Sequence, residues 1–278
     1  MKKKGQKKTK KRLKLRLNVV FKILLFLVIS FCLFSYINNL NIKNIYIEGN
    51  NIVKDIEIIE KAQIENYPKL YKLNLKKIKN KVKEIPLIKD VKIKRNPLGK
   101  ITFEIIEKEI LFYYKYNEKY ITSDKTEIED NNLILGYPTL INFTPDTAFA
   151  ELAKGLSKID QNIIKMINEI EYSPYKKSDG TLLDETNTYT NARFTLYMSD
   201  DNKVIIDTVN IKRLSNYPKI YASLNMDTTK GTLNLDIIND KEDENEETIF
   251  FKSFETEQKE LEEKLAKEKE EQEKKEEE

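Results

Sequence analysis

The chain has 278 residues, which is enough for one or two folded domains. It contains no histidine and a single cysteine, Cys32, so histidine-based triads, histidine metal ligands and an intramolecular disulfide are excluded. The net charge of +3 hides an asymmetry: residues 1–16 carry ten Lys/Arg and no acid, whereas residues 240–278 carry 18 acids and eight bases.

Residues 19–40 are predicted to form a transmembrane helix. The stretch from Val19 to Ile37 is apolar apart from Lys22. Nineteen helical residues span about 28 Å, which is close to the ~30 Å hydrocarbon core of a bilayer. Lys22 lies one turn from the cytoplasmic end, where its long stem can carry the charge to the headgroups.

The basic residues that precede this helix predict its orientation. By the positive-inside rule, residues 1–18 are expected to be a cytoplasmic tail and the chain after the helix to be extracytoplasmic. A cleaved signal peptide has the same order of basic and apolar segments. Its cleavage site needs small residues, however, and Tyr36 and Ile37 are bulky, so an uncleaved anchor is expected.

Residues 43–110 show the pattern of a small α+β domain. Alternating apolar residues indicate strands, and apolar residues at spacings of three and four indicate helices. Asn74 is a plausible N-cap, and Pro86 ends the helix that it starts. The predicted elements are a strand at 43–48, a helix at 55–62, a helix at 75–85, a strand at 90–94 and a strand at 101–105.

Three strings in this domain resemble a known family. They are NIYIEGNN at 44–51, Leu-Asn-Leu at 73–75 and IPLIKDVKI at 85–93. They resemble a POTRA domain, in particular that of the FtsQ/DivIB bacterial cell-division proteins, where it follows a basic tail and a single membrane helix. The resemblance implies an α+β fold: a transmembrane helix, a POTRA domain (β-α-α-β-β) and a second domain of mixed sheet and helix, called the β domain.

The β domain is assigned to residues 111–239. Asp146 is predicted to cap a helix whose inner face extends to Ile167, and Pro218 to start or kink a later helix. Residues 176–190 are polar and are expected to form an exposed loop. The predicted strands are 111–116, 120–122, 140–143, a hairpin of 194–198 with 204–206, and 232–237.

The end of this domain also resembles FtsQ/DivIB. The matching positions are Lys212-Arg213-Leu214 with Tyr217-Pro218 on a helix, and Gly231, Leu233, Leu235 and Asp236 on a strand. In that family, the last strand and the helix before it receive the division proteins FtsL and DivIC (FtsB-like). The resemblance therefore implies partner binding at an unpaired strand edge through Leu233, Leu235, Ile237, Tyr217 and Tyr221. The alternative is that these five residues are ordinary core or sheet positions.

Residues 240–278 form an acidic, charged tail that is expected to be disordered or helical. Thr248–Phe251 is the exception, since its run of apolar residues predicts a short strand or a hook on a sheet edge. The resemblance to FtsQ/DivIB covers residues 1–239 and does not extend to this tail.

No pattern of residues predicts catalysis. The chain has no phosphate-binding glycine loop and no nucleophile elbow, and Asp200-Asp201 is better explained as a hairpin turn than as a metal-binding pair. We therefore expect no enzyme activity, no cofactor, no metal site and no nucleic-acid partner. The expected function is that of a bitopic division scaffold which binds FtsL- and DivIC-type proteins at the septum and helps to control septal wall synthesis.

Two other classes of function are weighed against this one. The first is another POTRA-bearing protein of secretion or envelope assembly, which should contain several POTRA repeats or a β-barrel. The second is a membrane-tethered enzyme, which should contain a cluster of polar catalytic residues. The sequence shows neither of these features.

Overall fold

A computed structural model describes residues 17–130, 134–174, 192–236 and 250–276, with side chains except those of 268 and 270–276. The chain divides into two compact units, 1–106 and 107–278. The predicted loop at 176–190 lies outside the described residues, as do the tail residues 240–249.

The first unit begins with helix α1 and continues into a small α+β domain. One helix in the described part of the chain, α1, is long and apolar enough to cross a membrane. The bounds are α1 Leu17–Asn39, β1 Asn44–Glu48, α2 Asp55–Ala62, α3 Leu75–Val82, β2 Ile88–Arg95 and β3 Lys100–Glu107. These elements confirm the predicted β-α-α-β-β order.

Local sequence explains where these elements begin and end. The Asn74 side chain accepts a 3.1 Å hydrogen bond from the Lys77 amide and so caps α3, as predicted. Asn96 accepts hydrogen bonds from the amides of Leu98 and Lys100, which closes the turn between β2 and β3.

The sheet of the first unit has the strand order β1-β3-β2, with β1 parallel to β3. The inward side chains of its helices and strands are buried and form the core of this unit. They include Ile58, Ile78, Val82, Val91, Ile101 and Phe103.

The described part of the second unit is built on one sheet of nine strands. The strand order is β12-β11-β10-β9-β8-β7-β4-β5-β6. The strands are β4 Ile110–Tyr114, β5 Lys119–Thr122, β6 Glu127–Glu129, β7 Thr139–Leu140, β8 Ile167–Tyr172, β9 Arg193–Met198, β10 Lys203–Asp207, β11 Gly231–Asn234 and β12 Phe250–Ser253. The helices are α4 Asp146–Leu156, α5 Gln161–Ile164, α6 Tyr217–Ser223 and α7 Phe254–Glu276.

The long helix predicted from Asp146 to Ile167 is wrong. Helix α4 ends at Leu156, and the Asp160 carboxylate accepts a 2.8 Å hydrogen bond from the Asn162 amide to start the separate helix α5. Ile167 begins strand β8 instead, because Ile167 and Ile170 are buried in the sheet. Asp146 is the first residue of α4 rather than its cap.

The later elements follow the predictions more closely. Strands β9 and β10 form the predicted antiparallel hairpin, and the residues between them are those of the predicted turn at 199–202. A 3₁₀ helix at Ile211–Asn216 leads into α6, and Pro218 lies in the first turn of α6, where proline is tolerated. The predicted strand at 232–237 corresponds to β11, which begins at Gly231 and ends at Asn234.

Candidate partner-binding site

The predicted partner-binding residues are mostly buried in the second unit. Tyr217 and Leu233 are fully buried, and Leu235 is 1% exposed. Tyr221 is half-buried and packs against the same core. Ile237 lies outside the described residues. Three of the five side chains therefore belong to the core, and their role in partner binding stays a prediction.

Strand β11 is not at the edge of the sheet. It pairs with β10 in parallel on one side and with β12 in antiparallel on the other. The expectation that the strand at 232–237 presents an unpaired edge is therefore wrong in this structure. The physical reason is that Phe250–Ser253, which overlaps the predicted short strand or hook at 248–251, pairs with β11 as strand β12. The border of the sheet on this side is β12.

The two strands β11 and β12 are in close register. Thr232 lies opposite Lys252, and Leu233 lies opposite Phe251. A Cβ atom on Gly231 would lie 2.1 Å from the Lys252 carbonyl oxygen, so only glycine admits the second strand at that position.

Helix α6 is fixed to the start of β11 through the turn between β9 and β10. The Tyr217 hydroxyl donates a 2.7 Å hydrogen bond to Asp200 Oδ2. Asp200 Oδ1 accepts from both the amide and the side-chain nitrogen of Asn202. Asn202 in turn donates to the Met226 carbonyl and accepts from the Gly231 amide, at 3.1 and 3.0 Å. Burial, followed by the hydrogen bond to Asp200, raises the pKa of Tyr217 far above its usual value of 10, so the hydroxyl stays protonated.

A second polar group lies just past the other end of β11. Arg193 Nε donates a 2.6 Å hydrogen bond to Asp236 Oδ2, and the Asp236 side chain is 5% exposed. Asp207 accepts hydrogen bonds from the amide and the side chain of Asn210. Burial raises the pKa of Asp207 above 3.8, against the lowering effect of these hydrogen bonds. The Asn202–Gly231 hydrogen bond at the start of β11 and the Arg193–Asp236 ion pair after its end hold the strand in place.

The accessible surface at this border is aromatic and charged. Phe250 is 50% exposed, whereas Phe251 packs against the core. Lys203 Nζ lies 5.6 Å from the centroid of the Tyr197 ring and 5.4 Å from that of the Phe254 ring. These distances are within the range of a cation–π contact.

Sequence reasoning missed the residues that build this network. The sequence pattern marks Asp200 only as a turn residue, and it indicates no role for Asn202, Arg193 or Asp236 in holding the strand. Their partners are 17 to 43 residues away along the chain. No local periodicity marks contacts of that separation.

The FtsQ-type POTRA domain family matches residues 40–108. The cell division protein DivIB of Staphylococcus aureus (strain NCTC 8325) is 27% identical over 209 residues, which is 70% of this chain and 44% of that protein. DivIB of Bacillus subtilis (strain 168) is 26% identical over 232 residues, which is 79% of this chain and 80% of that protein. DivIB of Clostridium acetobutylicum is 34% identical over 88 residues, 32% of this chain and 35% of that protein.

A solved structure is also similar in part. It is the major extracytoplasmic domain of DivIB from Geobacillus stearothermophilus, with a TM-score of 0.32 and 21% identity, covering 43% of this chain and 96% of that one. The chain spans less than half the length of the S. aureus relative and about four fifths of the B. subtilis one.

The described elements and the POTRA match define the class of the protein. It is an α+β chain in which an apolar helix precedes a POTRA domain of the FtsQ type and a second, sheet-bearing unit. Residues 40–108 match the FtsQ-type POTRA family, and the chain is similar to DivIB cell-division proteins over 70–79% of its length at 26–27% identity.

Proposed function

We propose that the chain acts in bacterial cell division as a single-pass membrane scaffold. In this role it binds FtsL- and DivIC-type proteins at the septum and helps to control septal wall synthesis, without being an enzyme itself. The observation that carries the proposal is the match of residues 40–108 to the FtsQ-type POTRA domain, together with several relatives named DivIB.

The proposed topology rests on the first helix and its flanks. Helix α1 is long and apolar enough to cross a membrane, and the ten Lys/Arg before it favour a cytoplasmic N-terminus. The proposed segments are a tail at 1–18, an anchor at 19–40, a POTRA domain at 43–110, a β domain at 111–239 and an acidic tail at 240–278. Both sheet-bearing units then lie outside the membrane.

The proposed partner surface is the β11–β12 border with helix α6. A strand edge can bind an extended segment through main-chain hydrogen bonds, while alternate side chains supply specificity. Leu233 and Leu235 hold the strand in the core, and Tyr217 and Tyr221 hold the helix beside it. Of these four, Tyr221 is the one whose side chain reaches the surface.

Depletion of the protein in its own host tests the cell-division role. We expect septation to stop while growth continues, giving filaments or enlarged cells. Expression of the full chain should restore division, and normal division in depleted cells contradicts the proposal.

Co-purification tests the partner surface. The full chain should retain the host's FtsL- and DivIC-type proteins, and Tyr221→Glu should weaken this retention because it places a charge on the accessible part of α6. Tyr116→Glu is a matched control, since Tyr116 is 69% exposed and lies in the first half of the same unit. If both variants retain the partners equally weakly, or if both retain them like the unaltered chain, this placement of the surface is contradicted.

A further inference from the structure

The outermost strand β12 is held by few side chains. It has four residues, of which Phe251 packs against the core and Phe250 is half exposed. Main-chain pairing to β11 and a hydrogen bond from the Phe254 amide to the Lys230 carbonyl (3.0 Å) supply the rest. Short, exposed elements of this kind open more readily than the core of a fold.

The helix after β12 adds little to this attachment. None of the described side chains of α7 is buried, and Leu261 and Leu265 are 58% and 49% exposed. An ion pair joins Lys252 of β12 to Glu260 of α7, but it ties the segment to itself rather than to the sheet. Phe254 at the start of α7 contacts Lys203. Detaching β12 therefore uncovers chiefly Phe251 and Phe254, the two partly buried rings of this segment that contact the rest of the unit.

The strand behind β12, in contrast, is firmly placed. β11 is tied at its start by the Asn202–Gly231 hydrogen bond and is followed by the Arg193–Asp236 ion pair. Leu233 is fully buried. If β12 leaves, β11 remains and presents a row of unpaired backbone groups to an incoming strand.

Resting on the proposed function, we propose that Phe250–Ser253 is an internal ligand that occupies the partner-binding edge of β11, and that a partner strand of the same chemistry displaces it. β12 then shows what the edge accepts. The incoming segment is extended and antiparallel, with an aromatic or large aliphatic side chain opposite Leu233 and a polar or cationic one opposite Thr232. Its backbone passes close to Gly231, which has no Cβ to block it.

Because β12 occupies the edge of β11, a partner strand must compete with it in order to bind. A partner binds only the fraction of molecules whose edge is open, so its apparent dissociation constant is the intrinsic value divided by that fraction. A segment tethered within the same chain competes at an effective concentration in the millimolar range. Releasing β12 should therefore tighten binding at the edge, and locking β12 should abolish it.

Three full-length chains test this competition. In the first, Phe251→Glu removes the apolar contact and releases β12. In the second, Thr232→Cys with Lys252→Cys, in a Cys32→Ser background, locks β12 by a disulfide, because directly opposed Cα atoms about 4.5–5.5 Å apart meet the geometry that a disulfide needs. The third is the unaltered chain. The probe is a fluorescent synthetic peptide with the sequence of residues 248–256 (TIFFKSFET), followed by anisotropy.

Matched controls separate release of the strand from general damage. Phe250→Glu makes the same charge change on the exposed neighbour of Phe251 and should bind the peptide like the unaltered chain. The locked chain is its own control after reduction with dithiothreitol. A cysteine pair at Thr195 and Ile205, which face each other in β9 and β10, controls for oxidation within the sheet. Should Phe251→Glu fail to fold, Phe251→Ala replaces it.

We expect the peptide to bind Phe251→Glu at least about tenfold more tightly than the unaltered chain. It should not bind the oxidised, locked chain. The purified FtsL/DivIC-type complex of the host should follow the same order. Equal peptide binding by all three chains, the locked one included, overturns the inference.

Two mixed outcomes separate the inference from the proposed function. If the peptide follows the order and the complex binds none of the chains, the internal ligand stands and the proposed partners are wrong. If the complex binds the locked and released chains equally, the partner uses another surface and the displacement is refuted.

Discussion

The Tyr217 hydroxyl donates a 2.7 Å hydrogen bond to Asp200 Oδ2, which joins the first residue of α6 to the turn between β9 and β10. Seventeen residues separate the two along the chain. Because Tyr217 is fully buried, this bond satisfies a hydroxyl that water cannot reach.

Removing this hydroxyl should destabilise the second unit. Tyr217→Phe keeps the ring in the core but loses a hydrogen bond to a carboxylate, which we expect to lower the free energy of unfolding by about 1.5–3 kcal/mol. Urea unfolding followed by circular dichroism measures the change. Tyr221→Phe is the control, because its half-buried ring has no described hydroxyl hydrogen bond, and it should change stability by less than about 0.5 kcal/mol. Equal effects of the two variants contradict this role of Asp200.

Gly231→Ala should detach β12 while leaving the rest of the sheet folded. The new Cβ would lie 2.1 Å from the Lys252 carbonyl oxygen, and that oxygen belongs to the backbone, so the strands must separate. We expect amide protection of Phe250–Ser253 to fall in hydrogen exchange, with protection of β9 and β10 retained. Gly136→Ala is the control, since no atom lies within 4 Å of its Cβ and only its positive φ opposes the substitution. Unchanged protection of β12 in Gly231→Ala is the contrary result.

Leu233→Ala should act as a core substitution. The side chain is fully buried, so the lost apolar contacts and the cavity should cost about 2–5 kcal/mol in the free energy of unfolding. Leu261→Ala on α7 should cost less than about 0.5 kcal/mol, because that side chain is 58% exposed. Any loss of partner binding by Leu233→Ala must be compared with this loss of stability. A small effect of Leu233→Ala on unfolding places the residue outside the core.

The first unit should lose stability in acid through Asp90. Lys79 Nζ lies 2.8 Å and Lys83 Nζ 3.4 Å from Asp90 Oδ1. The hydrogen bond from Lys79 is the largest cause that lowers the pKa of Asp90 from 3.8 to about 2. Since the folded pKa lies below the unfolded one, the stabilisation is complete above about pH 4 and is lost as the pH falls towards 2.

Carbon-detected NMR titration of the carboxyl groups measures this value directly. Lys79→Gln should move the pKa of Asp90 back towards 3.8, and Asp90→Asn should remove the corresponding part of the acid dependence of unfolding. Lys76→Gln is the control, because Lys76 lies on the same helix and forms no described ion pair with Asp90. A pKa near 3.8 in the unaltered chain shows that the two lysines do not act on Asp90.

Sequence patterns predicted the first unit well because its signals are local. The Asn74 cap and the alternation in β2 and β3 each act within a few residues, although α3 ends at Val82, before the predicted stop at Pro86. The helix at 55–62 was predicted with its observed bounds. The parallel pairing of β1 with β3 was not predicted, because it joins segments more than 50 residues apart.

The second unit was predicted less completely for the same reason. Ile163 and Ile167 continue the helical spacing of α4, yet Asp160 interrupts it and Ile167 enters a strand. Tyr217 and Tyr221 lie on the predicted helix and Leu233 on the predicted strand, whereas Leu235 follows β11 and Ile237 lies outside the described residues. Periodicity cannot distinguish a core strand from an edge strand. That distinction depended on Phe250–Ser253, which follows β11 only after 15 further residues.

The two outer strands of the nine-stranded sheet are protected by different means. β6 has three residues, two of which are Glu127 and Glu129, so a like-charged strand is repelled there. At the opposite border β12 covers β11 by pairing. Two copies of the chain that meet at the β6 border therefore repel each other, whereas at the other border the backbone of β11 is already occupied and only the four-residue β12 is left to pair.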